Sequence, residues 1–164
     1  MAAYLRRVVD NELDELLPGV AAIALKGARG TGKTETALAR ASTVYRLDDP
    51  QVRAVALADP DRLVRGAPPI LIDEWQVLPM SWDLVRRAVD ADRTPGRFLL
   101  TGSASPRNPP AHPGAGRIVS LRMRPMTLAE RGVAIPTVSL AGLLTGQKGT
   151  VDGATDVGLD RYAH

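Results

Sequence analysis

The 164 residues include no cysteine, only three lysines (Lys26, Lys33 and Lys148), and no apolar run near the length of a membrane span. The first absence excludes disulfides and thiolate metal sites. The last excludes a membrane-crossing helix, which needs about 18 or more apolar residues in succession. The opening stretch Met1-Ala2-Ala3-Tyr4-Leu5-Arg6-Arg7 also lacks the apolar segment of a secretory signal, so a cytoplasmic location is the expectation. Basic residues number 21 against 18 acidic ones, a net charge of +3, and all but the three lysines are arginine. So mild a surplus permits contact with DNA without arguing for it. The pairs Arg6-Arg7 and Arg86-Arg87 read as solvated helix faces. At 45% hydrophobic, a chain of this length buries one good core.

Against these absences stands one dense motif. Gly27-Ala28-Arg29-Gly30-Thr31-Gly32-Lys33-Thr34 spells GxxxxGKT, preceded by the apolar run Val20 to Leu25 and followed by a helical stretch from Glu35 to Ala41. Strand, glycine loop and helix in that order form a phosphate cradle. The loop turns backbone N–H groups inward, its glycines allow backbone angles and approaches that a Cβ would block, and the helix start adds partial positive charge. Lys33 is placed to reach β- and γ-phosphate oxygens and the Thr34 hydroxyl to ligate Mg²⁺, so the expected ligand is a nucleoside triphosphate with Mg²⁺. A dinucleotide is excluded, because Glu35 stands where the last glycine of GxGxxG belongs. No Asn-Lys-x-Asp sequence is present to read guanine, which disfavours a GTPase.

Two further strands end in chemistry. Ile70-Leu71-Ile72 runs into Asp73-Glu74, three apolar residues for a buried parallel strand and two carboxylates at its C-terminal end, where such sheets bind ligands. Asp73 is placed to hold Mg²⁺ beside Thr34, and Glu74 to polarise an attacking water. Phe98-Leu99-Leu100 ends at Thr101-Gly102-Ser103, whose hydroxyls either sense the γ-phosphate or only start a turn. Arg117, opening the last strand, and Arg29, inside the loop, are each candidates for a phosphate contact, Arg117 with the nucleotide of a neighbouring subunit; a surface ion pair is the bland alternative for both.

Helical spacing of Leu5, Val8, Val9, Leu13, Leu16 and Leu17 predicts an amphipathic helix over 3–17, stopped by Pro18-Gly19. Short strands are expected at 43–47 and 118–121, a weak helix over 51–65 broken at Pro60, and a firm one over 80–92. Strands alternating with helices imply an α/β protein with a parallel sheet. Residues 104–116, with four prolines and two glycines, read as a mobile loop. Short helices are expected near 127–132 and 139–144, and a frayed tail over 145–164.

Gly27 to Thr34, Leu71-Ile72-Asp73-Glu74-Trp75-Gln76 with Pro79 and Trp82, Leu100-Thr101-Gly102-Ser103-Ala104, and Gly116-Arg117 before Leu121 and Pro125 occur here in one order. In that order the chain resembles the bacterial and archaeal P-loop ATPases of the AAA+ superfamily that usually carry a C-terminal nuclease-like domain. The resemblance implies a three-layer P-loop NTPase fold with five parallel strands in the order 5-1-4-3-2. It also implies Asp73 as the Mg²⁺-linked acid, Glu74 as catalytic base, Thr101 or Ser103 as sensor, and Arg117 as the arginine after the loop. Residues 18–144 would be the ATPase core, with 1–17 a separate helix and 145–164 a tail, so that only the N-terminal core of the longer relatives is represented. The expected partners are then further copies in a homo-oligomer or a separate protein that brings the helical lid. ATP hydrolysis is the first functional expectation, with Gly27, Ala28, Arg29, Gly30, Thr31, Gly32, Lys33, Thr34 and Glu35 around the nucleotide. A nucleotide-binding assembly module without hydrolysis is the second. A small-molecule kinase is third, since residues 104–117 offer only Arg107 and Arg117 for an arginine lid.

Overall fold

Burial along each strand sets the architecture. β1 (Ala22–Lys26), β3 (Ile70–Asp73) and β4 (Phe98–Gly102) are buried on both faces, apart from the exposed Lys26. β2 (Thr43–Arg46) and β5 (Ile118–Arg122) alternate or nearly so, as edge strands do. All five pair in parallel, in the order β2-β3-β4-β1-β5. That is the expected 5-1-4-3-2 read from the other edge, and with helices on both faces it makes the three-layer α/β P-loop NTPase fold. The structure is a computed structural model that describes residues 4–103, 114–132, 137–147, 149 and 158.

The period of two along the strands divides the core. Ile23, Leu25, Leu71, Leu99 and Leu121 face α1 (Val8–Leu16) and α2 (Lys33–Leu38), meeting Leu13 and Ala37. Their neighbours Ala22, Ala24, Ile70, Ile72, Phe98, Leu100 and Ile118 face the other way. There they meet α3 (Pro50–Ala58), the 3₁₀ turn Pro60–Val64 and α4 (Met80–Ala91). Asp49 caps α3 by accepting from the Gln51 and Val52 N–H groups, and Pro50 sits at its first position. Pro60 then ends the regular helix as its missing N–H requires.

The chain divides into two compact units, Met1–Pro125 and Met126–His164. In the second, α5 (Leu140–Leu144) forms where the sequence predicts it, with Ser139 Oγ accepting from the Gly142 N–H at 3.3 Å. The helix expected over 127–132 is a single turn instead. Thr127 and Glu130 exchange reciprocal capping bonds, but Gly132 takes a left-handed φ of 66° that stops propagation. The loop expected over 104–116 lies outside the described residues up to 113, and so does most of the expected tail.

α1 starts later than its apolar pattern: residues 4–7 precede it without regular structure, Arg7 is extended, and Tyr4 and Arg7 carry side chains into a polar network. The Asp10 carboxylate is fully buried; it accepts from the Tyr4 hydroxyl at 2.7 Å and the Arg7 backbone N–H, and pairs with Arg40 Nη1 at 2.7 Å. Arg40 also holds Asp14 at 2.6 Å. Burial opposes ionisation of Asp10, yet the bonds from Tyr4, Arg7 and Arg40 outweigh it and hold the carboxyl below the usual carboxylate range. A depressed folded pKa contributes stability above the unfolded value of about 3.9, and that contribution disappears as pH falls through and below it. An Asp10→Asn chain is therefore expected to be about 3 kcal/mol less stable at pH 7, with the gap narrowing below about pH 4. Urea unfolding at the two pH values measures it, and a gap that does not change with pH would refute it.

Candidate functional site

The loop between β1 and α2 is shaped by two glycines above all. Gly32 adopts φ 89°, a left-handed angle that side chains other than glycine resist, and it caps α2. Gly27 lies so close to the Met123 carbonyl that any Cβ would collide with it. Within the loop the Lys33 side chain, only 5% exposed, folds back so that Nζ donates to the Ala28 carbonyl at 2.6 Å. The Thr31 hydroxyl donates to the same carbonyl at 3.0 Å. Burial lowers the Lys33 pKa from its ordinary value, and the negative charges of Glu74 and Asp73 partly offset this.

Parallel register brings the other candidates alongside. Asp73 ends β3 opposite Thr101 of β4, and β1 and β4 run in step to Lys26 and Gly102. Thr34 Oγ1 donates to Asp73 Oδ1 at 2.8 Å, and Thr101 Oγ1 donates to the same oxygen. Lys33, Thr34, Asp73, Glu74 and Thr101 are thus gathered at the C-terminal end of the sheet. Glu74 is the one non-glycine residue with positive φ among the described residues, at φ 54° and ψ 43°. Such a residue costs about 1 kcal/mol or more, and strain of this kind concentrates at working sites. Its carboxylate accepts from the Gln76 side-chain amide, whose own Oε1 is buried without a partner. Trp75 and Trp82 pack beneath with ring centres 4.6 Å apart, and Lys26 Nζ lies 5.4 Å over Trp82.

Arg29 and Glu35 are exposed, one in the loop and one in the first turn of α2, and Ser103 follows β4 half-buried. Arg117 is elsewhere. It precedes Ile118, which pairs with Ala22 at the start of β1, so it stands at the N-terminal end of the sheet, about 13 Å of strand from the loop. There its Nε bonds Asp90 Oδ1 of α4 at 2.7 Å, and this bond lowers the Asp90 pKa. The surface ion pair weighed for Arg117 is therefore present.

One expectation is corrected. Arg6 is a solvated residue paired with Asp14, but Arg7 is not: it is 7% exposed, with Nη1 on the Thr31 carbonyl at 2.7 Å and Nη2 on the Arg124 carbonyl at 3.0 Å. Gln76 stands in the motif read from the chain, two residues after Glu74, but carries no assigned role there. Arg7 has no such signal, since its partners lie far along the chain.

Among the described residues no group of three or more acidic, histidine or cysteine side chains could cage a metal. Thr34 and Asp73 alone suit a hard cation that brings phosphate and water oxygens with it, which is the habit of Mg²⁺. A family model described as an AAA domain matches residues 20–131, well over half of the chain. The chain belongs to the AAA domain family. No curated protein matches it. As an AAA domain it binds nucleotide, and among the described residues it has no helix long and apolar enough to cross a membrane.

Proposed function

We propose that this AAA domain binds ATP with Mg²⁺ and hydrolyses it to ADP and phosphate. The observation that carries the reading is the convergence of the Thr34 and Thr101 hydroxyls on one oxygen of Asp73, beside the buried Lys33 of a glycine loop. Three strands deliver those groups to one point. Residues 27–35 enclose the phosphates, and Lys33 exchanges the Ala28 carbonyl for β- and γ-phosphate oxygens. Thr34 and Asp73 hold the cation, which when bound neutralises charge on the phosphates. Glu74 accepts a proton from water as the water oxygen bonds to the γ-phosphorus and the bond from that phosphorus to the β–γ bridging oxygen breaks. Thr101, bonded to Asp73, detects whether the γ-phosphate is present. Arg117 faces away from its own loop, so its phosphate partner would belong to an adjacent subunit in a homo-oligomer.

Calorimetry with ATP and Mg²⁺ tests the binding step, with Lys33→Ala as the control. The variant is expected to bind about 100-fold more weakly or worse, near 3 kcal/mol. The melting temperature of the same variant without nucleotide, set against that of the unaltered protein, separates lost binding from lost folding. No heat with any purine nucleotide would refute the reading. Binding without phosphate release at any protein concentration would favour a nucleotide-dependent assembly module instead.

A further inference from the structure

We propose that Arg7 is a positioning residue of the nucleotide site, through which the N-terminal arm sets the phosphate loop. The proposal rests on the loop binding phosphate as argued above, but not on hydrolysis. Its guanidinium is more than nine-tenths buried and donates to the carbonyls of Thr31 and Arg124, joining the loop to the segment that leaves β5. Arg7 packs against Gly32, with Nη1 3.5 Å from where a Cβ would stand, an ordinary van der Waals distance.

The effect on the loop follows from peptide geometry. In a planar trans peptide the carbonyl and the next N–H point in opposite directions, so holding the Thr31 oxygen fixes the Gly32 N–H on the side away from Arg7. A charged donor on the carbonyl also polarises that peptide and strengthens its N–H as a donor. The arm therefore presets one of the amides that grip phosphate, with no side chain of its own touching the nucleotide. The arm itself is fixed by the Tyr4–Asp10–Arg40 network, and Tyr4 Oη lies 3.0 Å from the Thr36 hydroxyl of α2. Lysine cannot replace the fork, because one ammonium does not span two carbonyls in fixed directions.

The test measures ATP and ADP affinity by calorimetry, and melting temperature, for the full chain and for Arg7→Ala, Arg7→Lys and Arg40→Ala. Arg40→Ala breaks the same arm network, through Asp10 and Asp14, without touching the loop. Arg7→Ala is expected to weaken both nucleotides about tenfold or more, with Arg7→Lys between it and the unaltered protein. Arg40→Ala is expected to lower the melting temperature and, because it loosens the arm but leaves both carbonyl bonds of Arg7 in place, to weaken affinity clearly less than Arg7→Ala does. Added methylguanidinium should restore part of the affinity to Arg7→Ala. Should Arg7→Ala not fold, Arg7→Lys alone decides by the same affinity comparison. Unchanged affinity in both Arg7 variants, or an equal loss in Arg40→Ala, would overturn the proposal and leave Arg7 a purely structural group. Failure of the unaltered chain to bind ATP would instead sink the nucleotide reading, and this proposal with it.

Discussion

Replacing Glu74 by glutamine is expected to leave Mg-ATP affinity within about twofold and to slow phosphate release about 100-fold or more. The substitution keeps the side chain's size and removes only its capacity to take a proton. Among the described residues gathered at the site, no other takes that role: Asp73 is occupied by two hydroxyls and is placed for the cation, and Lys33 is a donor. The left-handed backbone at Glu74 carries the same implication. Strand β3 ends at Asp73, and the turn at Glu74 departs from the extended path and sets its side chain apart from that of Asp73. The carboxylate accepts from the Gln76 amide, so a water must compete for it when ATP enters. Glutamine at 74 offers that water no base. Phosphate release measured under single-turnover conditions isolates the step from product departure. Equal rates in the two proteins would remove Glu74 from the chemistry.

The features read most easily along the chain are those that local sequence encodes. Gly27 to Thr34 and Ile70 to Glu74 each pack strand, turn and functional groups into a few residues, and the structure brings them together through parallel register. Buried strands such as Phe98 to Gly102 were legible as apolar runs because both their faces are covered. The N-terminal arm was not. Its apolar positions suggested a helix from residue 3, but Tyr4 and Arg7 act through partners 32, 24 and 117 positions away, and no local pattern announces such bonds. The single turn at 127–132 went unread for a different reason. Thr127 and Glu130 make a genuine helix start, while the stop at Gly132 comes before a second turn can form.

Replacing Arg117 by alanine is expected to lower ATP turnover by about 10³-fold at saturating ATP while leaving the ATP affinity of the isolated subunit unchanged. The reason is geometric. Arg117 sits at the N-terminal end of β5, whereas the phosphate loop leaves the C-terminal end of β1, so no rotamer brings its guanidinium to the nucleotide of its own chain. Its present partner is a weak hold. The Asp90 ion pair lies at the surface, with 42% of the arginine side chain exposed, and pairs of this kind are weakened by solvent and salt, so a neighbour's triphosphate can displace it. Asp90→Asn is accordingly expected to preserve or raise turnover, which distinguishes a reserved arginine from a merely structural one. If Arg117 acts across an interface, turnover per subunit rises with protein concentration, and mixing Arg117→Ala chains with Lys33→Ala chains restores part of the activity, because in one of the two mixed arrangements the intact loop of the first variant meets the intact arginine of the second. Turnover per subunit that is flat with concentration, together with no restoration on mixing, would confine Arg117 to its bond with Asp90.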